Sequence, residues 1–316
     1  MAIFLGVDTG GTYTDAVLLD DTTQTILARA KALTSRPDLS VGIGGAIDAV
    51  LAERGDDAAR QIAIVSLSTT LATNALVEGQ GARAALVLIG FDAGDKRRAG
   101  LSDALADSPL IELAGGHNHA GGEARPFDAD ALAQALDALP DGIGAIAVAA
   151  AFATRNPAHE IEARTVIRAR TGLPVTCSHE LSAGLNGPKR ALTALLNARL
   201  VPMIDRLVGA CESHLARRDI NAPLMVVRGD GALVSAALVR ERPIETILSG
   251  PAASIAGAAW LTGVKDALVS DIGGTTTDVC LLADGRPAID PDGARRRVPH
   301  HGRGGPHAHH RSGRRS

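Results

Sequence analysis

The chain reads as an α/β protein, and three features say so. Short apolar runs suited to strands, at residues 2–7, 62–67, 84–89 and 143–151, alternate with longer stretches of helical periodicity. Of 316 residues 46% are hydrophobic but only 2% aromatic, so the core is built from Ala, Leu, Val and Ile, which pack closely between strands and helices. One eight-residue pattern also occurs twice, as DTGGTYTD from Asp8 to Asp15 and as DIGGTTTD from Asp271 to Asp278, each time between apolar runs. A chain of this length buries a full core and holds about two domains.

Taken in order, the first strand delivers Asp8 to its end, and Gly10–Gly11 turns the backbone into a second strand at residues 16–19. Residues 26–31 add a strand whose mixed pattern fits a sheet edge. Val41, Ile43, Ile47, Val50 and Leu51 share one face of a helix over 39–54. Strand 62–67 leads to Ser68 and Thr69, placed as helix N-caps before Ala72, Ala75 and Leu76. Strand 84–89 is of the buried type. The loop-rich stretch 90–127 carries His117, His119 and Glu123, suitable types for a divalent metal, although exposed loop histidines are the simpler reading.

A helix over 128–139 stops at Pro140-Asp141-Gly142, and 143–151 is a central strand, apolar on both faces. Asn156-Pro157 opens a helix that ends at Gly172 and Pro174; Glu160 in its first turn suits the positive end of the helix dipole. Strand 175–178 ends in His179 and Glu180, a pair placed for acid–base work or a metal contact, with a hydrogen-bonded structural pair as the alternative. Residues 185–215 are helical, with a break expected at Pro202; Lys189 and Arg190 near the start can meet an anion or stand as solvated surface charges. Strand 224–228 and a turn at Gly229-Asp230-Gly231 come next. Ser249-Gly250-Pro251 then opens a helix whose Ala253, Gly257 and Ala258 allow close approach, and a second domain starts near Val264.

The duplicated pattern carries the chemistry. Glycines supply φ > 0 and let a phosphate approach the backbone, so Gly10, Gly11, Gly273 and Gly274 offer converging N–H groups. Thr9, Thr12, Thr14 and Asp15, with Thr275, Thr276, Thr277 and Asp278 in the second copy, complete the loops, the threonines as hydroxyl donors. Asp8 and Asp271 would repel phosphate directly, so their place is to hold Mg²⁺ through water or to orient an attacking water. One copy alone is equally an ordinary hairpin with a Gly-Gly turn. Two matched copies imply two similarly built domains with a nucleotide between them.

These paired motifs resemble the phosphate-1 and phosphate-2 loops of the actin, sugar-kinase and heat-shock-chaperone ATPase superfamily, which implies an actin-like, ribonuclease H-like fold with a mixed sheet flanked by helices. Four further segments are similar to the hydantoinase A/5-oxoprolinase family: STTLATNA from Ser68, FATRNPAHE from Phe152, SHELS from Ser178 and SGPAA from Ser249. The resemblance covers most of residues 1–293. It implies ATP with Mg²⁺, and opening of a cyclic amide such as a hydantoin or 5-oxoproline, or in some relatives carboxylation of a ketone. It also implies a partner, the B-type hydantoinase subunit, and places Thr69, Thr70, Thr73 and Asn74 beside the active cleft, where helix capping is the competing role. A small-metabolite kinase and a non-catalytic remnant are the other functions weighed. The domains expected are an N-terminal one over 1–180 and the start of a second, truncated one over 181–293.

After Gly293 the composition breaks. Residues 294–316 hold half of the ten His and seven of the 32 basic residues and no acidic ones, leaving 25 basic against 35 acidic residues in the body. The tail has no aromatic interleaving and no helical period, so nucleic acid is not an expected partner and a solvated end is the simplest reading. A frameshift is the sharper one: with GC-rich codons, the nucleotides for Arg296 to Arg315 read one position later can give GGFRTMVEAVHMRTTGLGGD, which resembles the family's segment after the second phosphate loop. The longest apolar stretch, residues 143–153, is too short to span a bilayer and the N-terminus has no secretory pattern, so a cytoplasmic protein is expected. Cys177, Cys211 and Cys280 form no CxxC and read as small core residues.

Overall fold

Three antiparallel strands begin the chain: β1 (Ile3–Thr9), β2 (Tyr13–Asp20) and β3 (Thr25–Leu33). The computed structural model describes residues 2–35, 38–55, 57–79, 81–105, 108–272, 277–287, 294–295, 298–299 and 307–310. They divide between two compact units, one of residues 1–79, 204–291 and 303–316, the other of 80–203 and 292–302.

In the first unit, helices α1 (Leu39–Ala52) and α2 (Asp57–Arg60) lead to β4 (Ile62–Thr69), which pairs parallel to β1 and is followed by α3 (Leu71–Glu78). β1 and β2 alternate buried and part-buried positions along their length, so one face of the sheet lies against apolar cover that includes Ile43, Ile47 and Val50 of α1.

The second unit is a four-stranded parallel sheet built from β5 (Ala84–Ile89), β6 (Leu110–Leu113), β7 (Ala145–Ala150) and β8 (Val175–Cys177), in the order β6-β5-β7-β8. Every residue of β5 and β7 is buried, as strands covered on both faces require. Short helices α4 (Ala93–Lys96) and α5 (Leu101–Leu105) interrupt the stretch read from sequence as loop, and α6 (Ala129–Asp137), α7 (Ala158–Thr171) and α8 (Ser178–Leu181) complete the set. Leu132 and Leu136 of α6 and Ala163 and Ile167 of α7 join the strands in one core.

Helix α9 (Gly187–Arg217) runs without interruption through Pro202, where a break was expected. Proline in a helix interior costs about 3 kcal/mol. Buried Ala198 and Leu200 before it, and Ile204, Leu207 and Val208 after it, offset that cost by packing on both sides. The division between the units falls within this helix, after Met203.

Back in the first unit, β9 (Leu224–Val227) pairs parallel to β4, and β10 (Leu233–Ser235) pairs antiparallel to β9, which makes a mixed sheet in the order β10-β9-β4-β1-β2-β3. An antiparallel meander continued by parallel strands, with helices as cover, is the actin-like, ribonuclease H-like α/β arrangement expected. Helices α10 (Ala236–Glu241) and α11 (Ser249–Thr262) precede β11 (Ala267–Ile272) and β12 (Thr277–Ala283). Those two strands repeat the opening hairpin: Asp271 lies opposite Asp278 as Asp8 lies opposite Asp15. Ile255 of α11 packs with Cys280 and Leu282 on one face of the repeat.

β13 (Arg286–Pro287) pairs antiparallel with β12; within the tail, β14 (Ala294–Arg295) pairs with β15 (Val298–Pro299), and β16 (His307–His310) pairs with β12. The rest of the tail, including most of the segment read as a frameshift, lies outside the described residues. Among the described residues no helix is long and apolar enough to cross a membrane.

Candidate functional site

Strand register assembles the site of the first unit. Asp8 stands opposite Asp15 on β2 and opposite Ser68 on β4, and Asp15 stands opposite Lys31 on β3, so Ser68, Asp8, Asp15 and Lys31 form one row across four strands. The neighbouring row is Ser66, Gly6, Val17 and Arg29. Both rows line a cleft of about 720 Å³, together with Val227 and with Ala253 and Ser254 of α11. Gly6 keeps its floor open, since a Cβ there would stand 3.1 Å from Val17 Cγ1. The sequence pointed to Asp8 and Asp15; Ser66, Arg29 and Lys31 were missed, and alternation along β3 and β4 is the signal that could have found them.

Asp8 is the electrostatic centre. Burial pushes its carboxyl above the ordinary range and the charges of Asp15 and Asp271 add to that, while the Ser68 hydroxyl, donating to Oδ1 at 2.6 Å, and Lys31 act the other way. Asp271 accepts from the Ser254 hydroxyl at 2.7 Å. Asp15 pairs with Lys31 at 3.0 Å, and the Lys31 ammonium also lies 5.1 Å from the Tyr13 ring centre. The carboxylates and hydroxyls here are all hard oxygen donors, the set suited to Mg²⁺. Thr9 Oγ1, buried at the end of β1, has no hydrogen-bond partner among the described residues.

The first loop turns otherwise than expected. Neither Gly10 nor Gly11 sits in the left-handed region. Glycine suits position 10 because the Gly10 N–H bonds the Tyr13 carbonyl at 2.9 Å and a Cβ would come within 3.0 Å of that oxygen. Thr12 gives its carbonyl to the Thr34 N–H, and buried Thr14 exchanges a hydroxyl bond of 3.0 Å with Thr34. Gly273, Gly274, Thr275 and Thr276 lie outside the described residues, and Thr277 and Asp278 are placed by their strand register alone.

Thr69, Thr70 and Asn74 are drawn into the framework beside the cleft. The Thr69 N–H donates to Ser249 Oγ, Ser249 Oγ donates back to the Thr69 carbonyl at 2.8 Å, and Thr69 Oγ1 donates to the Thr9 carbonyl while accepting from the Leu71 N–H. Thr70, not Thr69, holds the N-cap position of α3 and makes no side-chain cap bond, while Thr69, one residue earlier, accepts from the first helical N–H. Asn74 Nδ2 reaches Thr70 Oγ1 at 3.5 Å. The start of α11 presses on this corner: a Cβ at Gly250 would lie 2.8 Å from Thr70 Cγ2 and 3.8 Å from Asp8 Oδ1. Leu248, buried in the left-handed region at φ 72°, is held there by its N–H bond to Thr73 Oγ1. No sequence signal marks that leucine.

A second polar cluster lies in the second unit, and it corrects two expectations. His179 pairs with Glu160, Nδ1 to Oε2 at 2.6 Å, and Glu180 pairs instead with Arg164 at 2.5 Å. Glu160 stands in the first turn of α7, as the helix dipole favours, and is in addition a fully buried acceptor. Arg190 is 1% exposed, bonded to the carbonyls of Gly184 and Ala150, and no solvated charge. The His117 ring lies against that of His159, centres 4.3 Å apart and planes tilted by 38°, and His159 binds Glu123, while His119 stays exposed. Burial and the Glu160 charge push the Cys177 thiol well up, so it remains protonated beside this cluster.

Comparison with known proteins accounts for the pattern. Residues 4–171 match the hydantoinase/oxoprolinase N-terminal region, and residues 190–302 match the hydantoinase/oxoprolinase family proper. The chain belongs to the hydantoinase/oxoprolinase family. Among curated relatives, it is 30% identical to the acetophenone carboxylase gamma subunit of Aromatoleum aromaticum over 90% of this chain and 44% of that protein. It is 28% identical to the caprolactamase subunit alpha of Pseudomonas jessenii over 91% of this chain and 44% of that protein. The chain therefore spans about half the length of these relatives. Two solved structures share the fold: nucleotide-free acetone carboxylase, at TM-score 0.83 and 20% identity over 99% of this chain and 48% of that one, and the ATP-dependent caprolactamase of Pseudomonas jessenii, at 0.77 and 23% over 97% and 47%.

Proposed function

We propose that this chain is the ATP-using part of an enzyme that opens a cyclic amide of the hydantoin or 5-oxoproline type. The observation that carries the reading is the repeated Asp-x-Gly-Gly-Thr hairpin, whose two leading carboxylates, Asp8 and Asp271, are close enough for the charge of Asp271 to raise Asp8. Two such carboxylates fit a divalent cation that travels with nucleotide phosphates. In this reading Asp8 and Asp271 hold Mg²⁺ through water, and the loop N–H groups and Thr9 meet phosphate oxygens. When bound, Mg²⁺ supplies neutralisation of the charge that develops on the transferring phosphate. The amide oxygen attacks the γ-phosphorus, ADP leaves, and the ring carbon becomes open to water.

A second reading, carboxylation of a ketone, is favoured by the acetophenone carboxylase relative and shares the same first step on a carbonyl oxygen. Both curated relatives are named as subunits, which supports a partner subunit of the B type. The test is ADP release by the native enzyme containing this chain, with hydantoin, 5-oxoproline or caprolactam in one series and acetophenone plus bicarbonate in the other. ADP that depends on a cyclic amide, lost in Asp8→Asn, supports ring opening. ADP that depends on ketone and bicarbonate supports the second reading. Release that depends on sugars points to a kinase, and absence of nucleotide binding points to a remnant.

A further inference from the structure

The cleft around Asp8 has a second polar end, which the Mg²⁺ and phosphate contacts leave unused. Every residue that lines the cleft belongs to the first unit. Two of them are cations, Arg29 and Lys31 of β3, two residues apart and so on one face of the sheet. Their circumstances differ. Lys31 is held by Asp15 at 3.0 Å, and its charge also acts on Asp8. Arg29 stands in the row of Val17, Gly6 and Ser66, which contains no acid, and no carboxylate pairs with it among the described residues.

The surroundings of Arg29 decide what it can receive. Gly6 leaves a hollow in the middle of that row, where a Cβ would meet Val17 Cγ1 at 3.1 Å and Ser66 Oγ at 3.7 Å. Val17, Val227 and Ala253 give the cleft apolar wall. An apolar hollow with one uncompensated guanidinium at its end fits a small ring that bears one anionic group, because the guanidinium fork matches a carboxylate. The spacing agrees. β3 lies two strand spacings from β1, about 10 Å, and Arg29 is set two residues along from the row of Asp8. That separation leaves place for a ring whose amide oxygen faces a phosphate held at Asp8 while its anionic group faces Arg29.

We propose that Arg29 selects cyclic amides that carry a carboxylate beside the ring nitrogen, as 5-oxoproline does, over neutral lactams of the same ring. This rests on the ring-opening reading. In such a ring the amide carbonyl and the carboxylate flank the nitrogen, so one molecule presents its oxygen to the phosphate and its carboxylate to Arg29. The carboxylate accepts from the guanidinium N–H groups, and no bond is made or broken at this residue. Lys31 does not compete for the anion while Asp15 holds it.

Arg29→Gln tests this in the native enzyme containing this chain, with 5-oxoproline compared against its neutral counterpart pyrrolidin-2-one by ADP release and ring-opened product. The position is exposed on β3, so the variant is expected to melt with wild type. The ratio of kcat/KM for 5-oxoproline to that for pyrrolidin-2-one should fall about 10–100-fold, the usual worth of a hydrogen bond to a charged group. The fall should lie in KM, since the carboxylate is bound equally before and during the reaction. Arg29→Lys keeps the charge without the fork and should recover part of the ratio. A wild-type enzyme with no preference for 5-oxoproline, or an unchanged ratio in Arg29→Gln, would overturn the assignment and leave ring opening intact. So would a rise in KM for ATP alone, which puts a nucleotide phosphate on the guanidinium instead. A wild-type enzyme that opens no cyclic amide removes the ring-opening reading, and with it the selection assigned to Arg29.

Discussion

Glu160→Gln is the most direct probe of the buried cluster, because it keeps the shape and removes one acceptor oxygen. Glu160 satisfies four donors, two on each oxygen. Whichever way the amide is turned, one pair of donors keeps its oxygen and the other pair faces an N–H₂ group. A buried polar group left unpaired costs about 1–3 kcal/mol, so the loss is about 2–6 kcal/mol. Against a typical stability of about 5–15 kcal/mol, that is a large fraction. With a urea m-value of about 2 kcal/mol per molar, the midpoint falls by about 1–3 M. Urea titration followed by far-ultraviolet circular dichroism measures it, with exposed Glu162→Gln as control, expected within about 0.5 kcal/mol of wild type. A Glu160→Gln loss under about 1 kcal/mol would mean that the donors have other acceptors and that the carboxylate does not organise the cluster.

Asp8→Asn keeps an acceptor for Ser68 and removes the charge. Because burial raises the folded-state pKa of Asp8, its contribution to stability is fully present below the ordinary carboxylate value and is lost as pH rises through the raised one. The variant should therefore melt higher than wild type at neutral pH without Mg²⁺, with the difference vanishing in acid, while nucleotide turnover is abolished; an equal or lower melting temperature at neutral pH refutes the sign. Gly250→Ala places a methyl 2.8 Å from Thr70 Cγ2 and should cost about 1–3 kcal/mol in thermal melts, with Thr70→Ser partly restoring it. No rescue would put the strain elsewhere. Burial pushes the Cys211 thiol up to about 12 and Cys280 up to about 11, and Cys177 is raised further, so none of the three should react with Ellman's reagent at pH 8 until the protein is denatured. Resequencing the codons for Asp284 to Ser316 should reveal the +1 continuation GGFRTMVEAV if the tail is out of frame, and an undisturbed frame would make the His/Arg segment genuine.

The features legible in the sequence are those that short-range patterns carry. An Asp ahead of a Gly-Gly turn between apolar runs specifies a hairpin, and its second copy specifies a second hairpin; the matching Asp8–Asp15 and Asp271–Asp278 registers result from equal loop lengths. The even burial of β5 and β7 was implied by unbroken apolar runs. The row Ser68–Asp8–Asp15–Lys31 was half legible, because period two tells which residues share a face but not which strands lie side by side. Glu160 was not legible at all. Its partners come from residues 150, 178 and 179, on β7 and α8, and the helix-dipole role it also satisfies is a sufficient local explanation that hides them. Reading His179 with Glu180 was the same error in reverse. Adjacent residues in a one-turn helix point to different sides, so Glu180 turns to Arg164 while His179 meets a carboxylate from another helix. A buried ionisable group needs donors on every oxygen, and no single element can supply four of them at the right angles. Candidate acid–base pairs in open α/β sheets are therefore better sought between a strand's C-terminal end and the helix packed beside it than between neighbours in the chain.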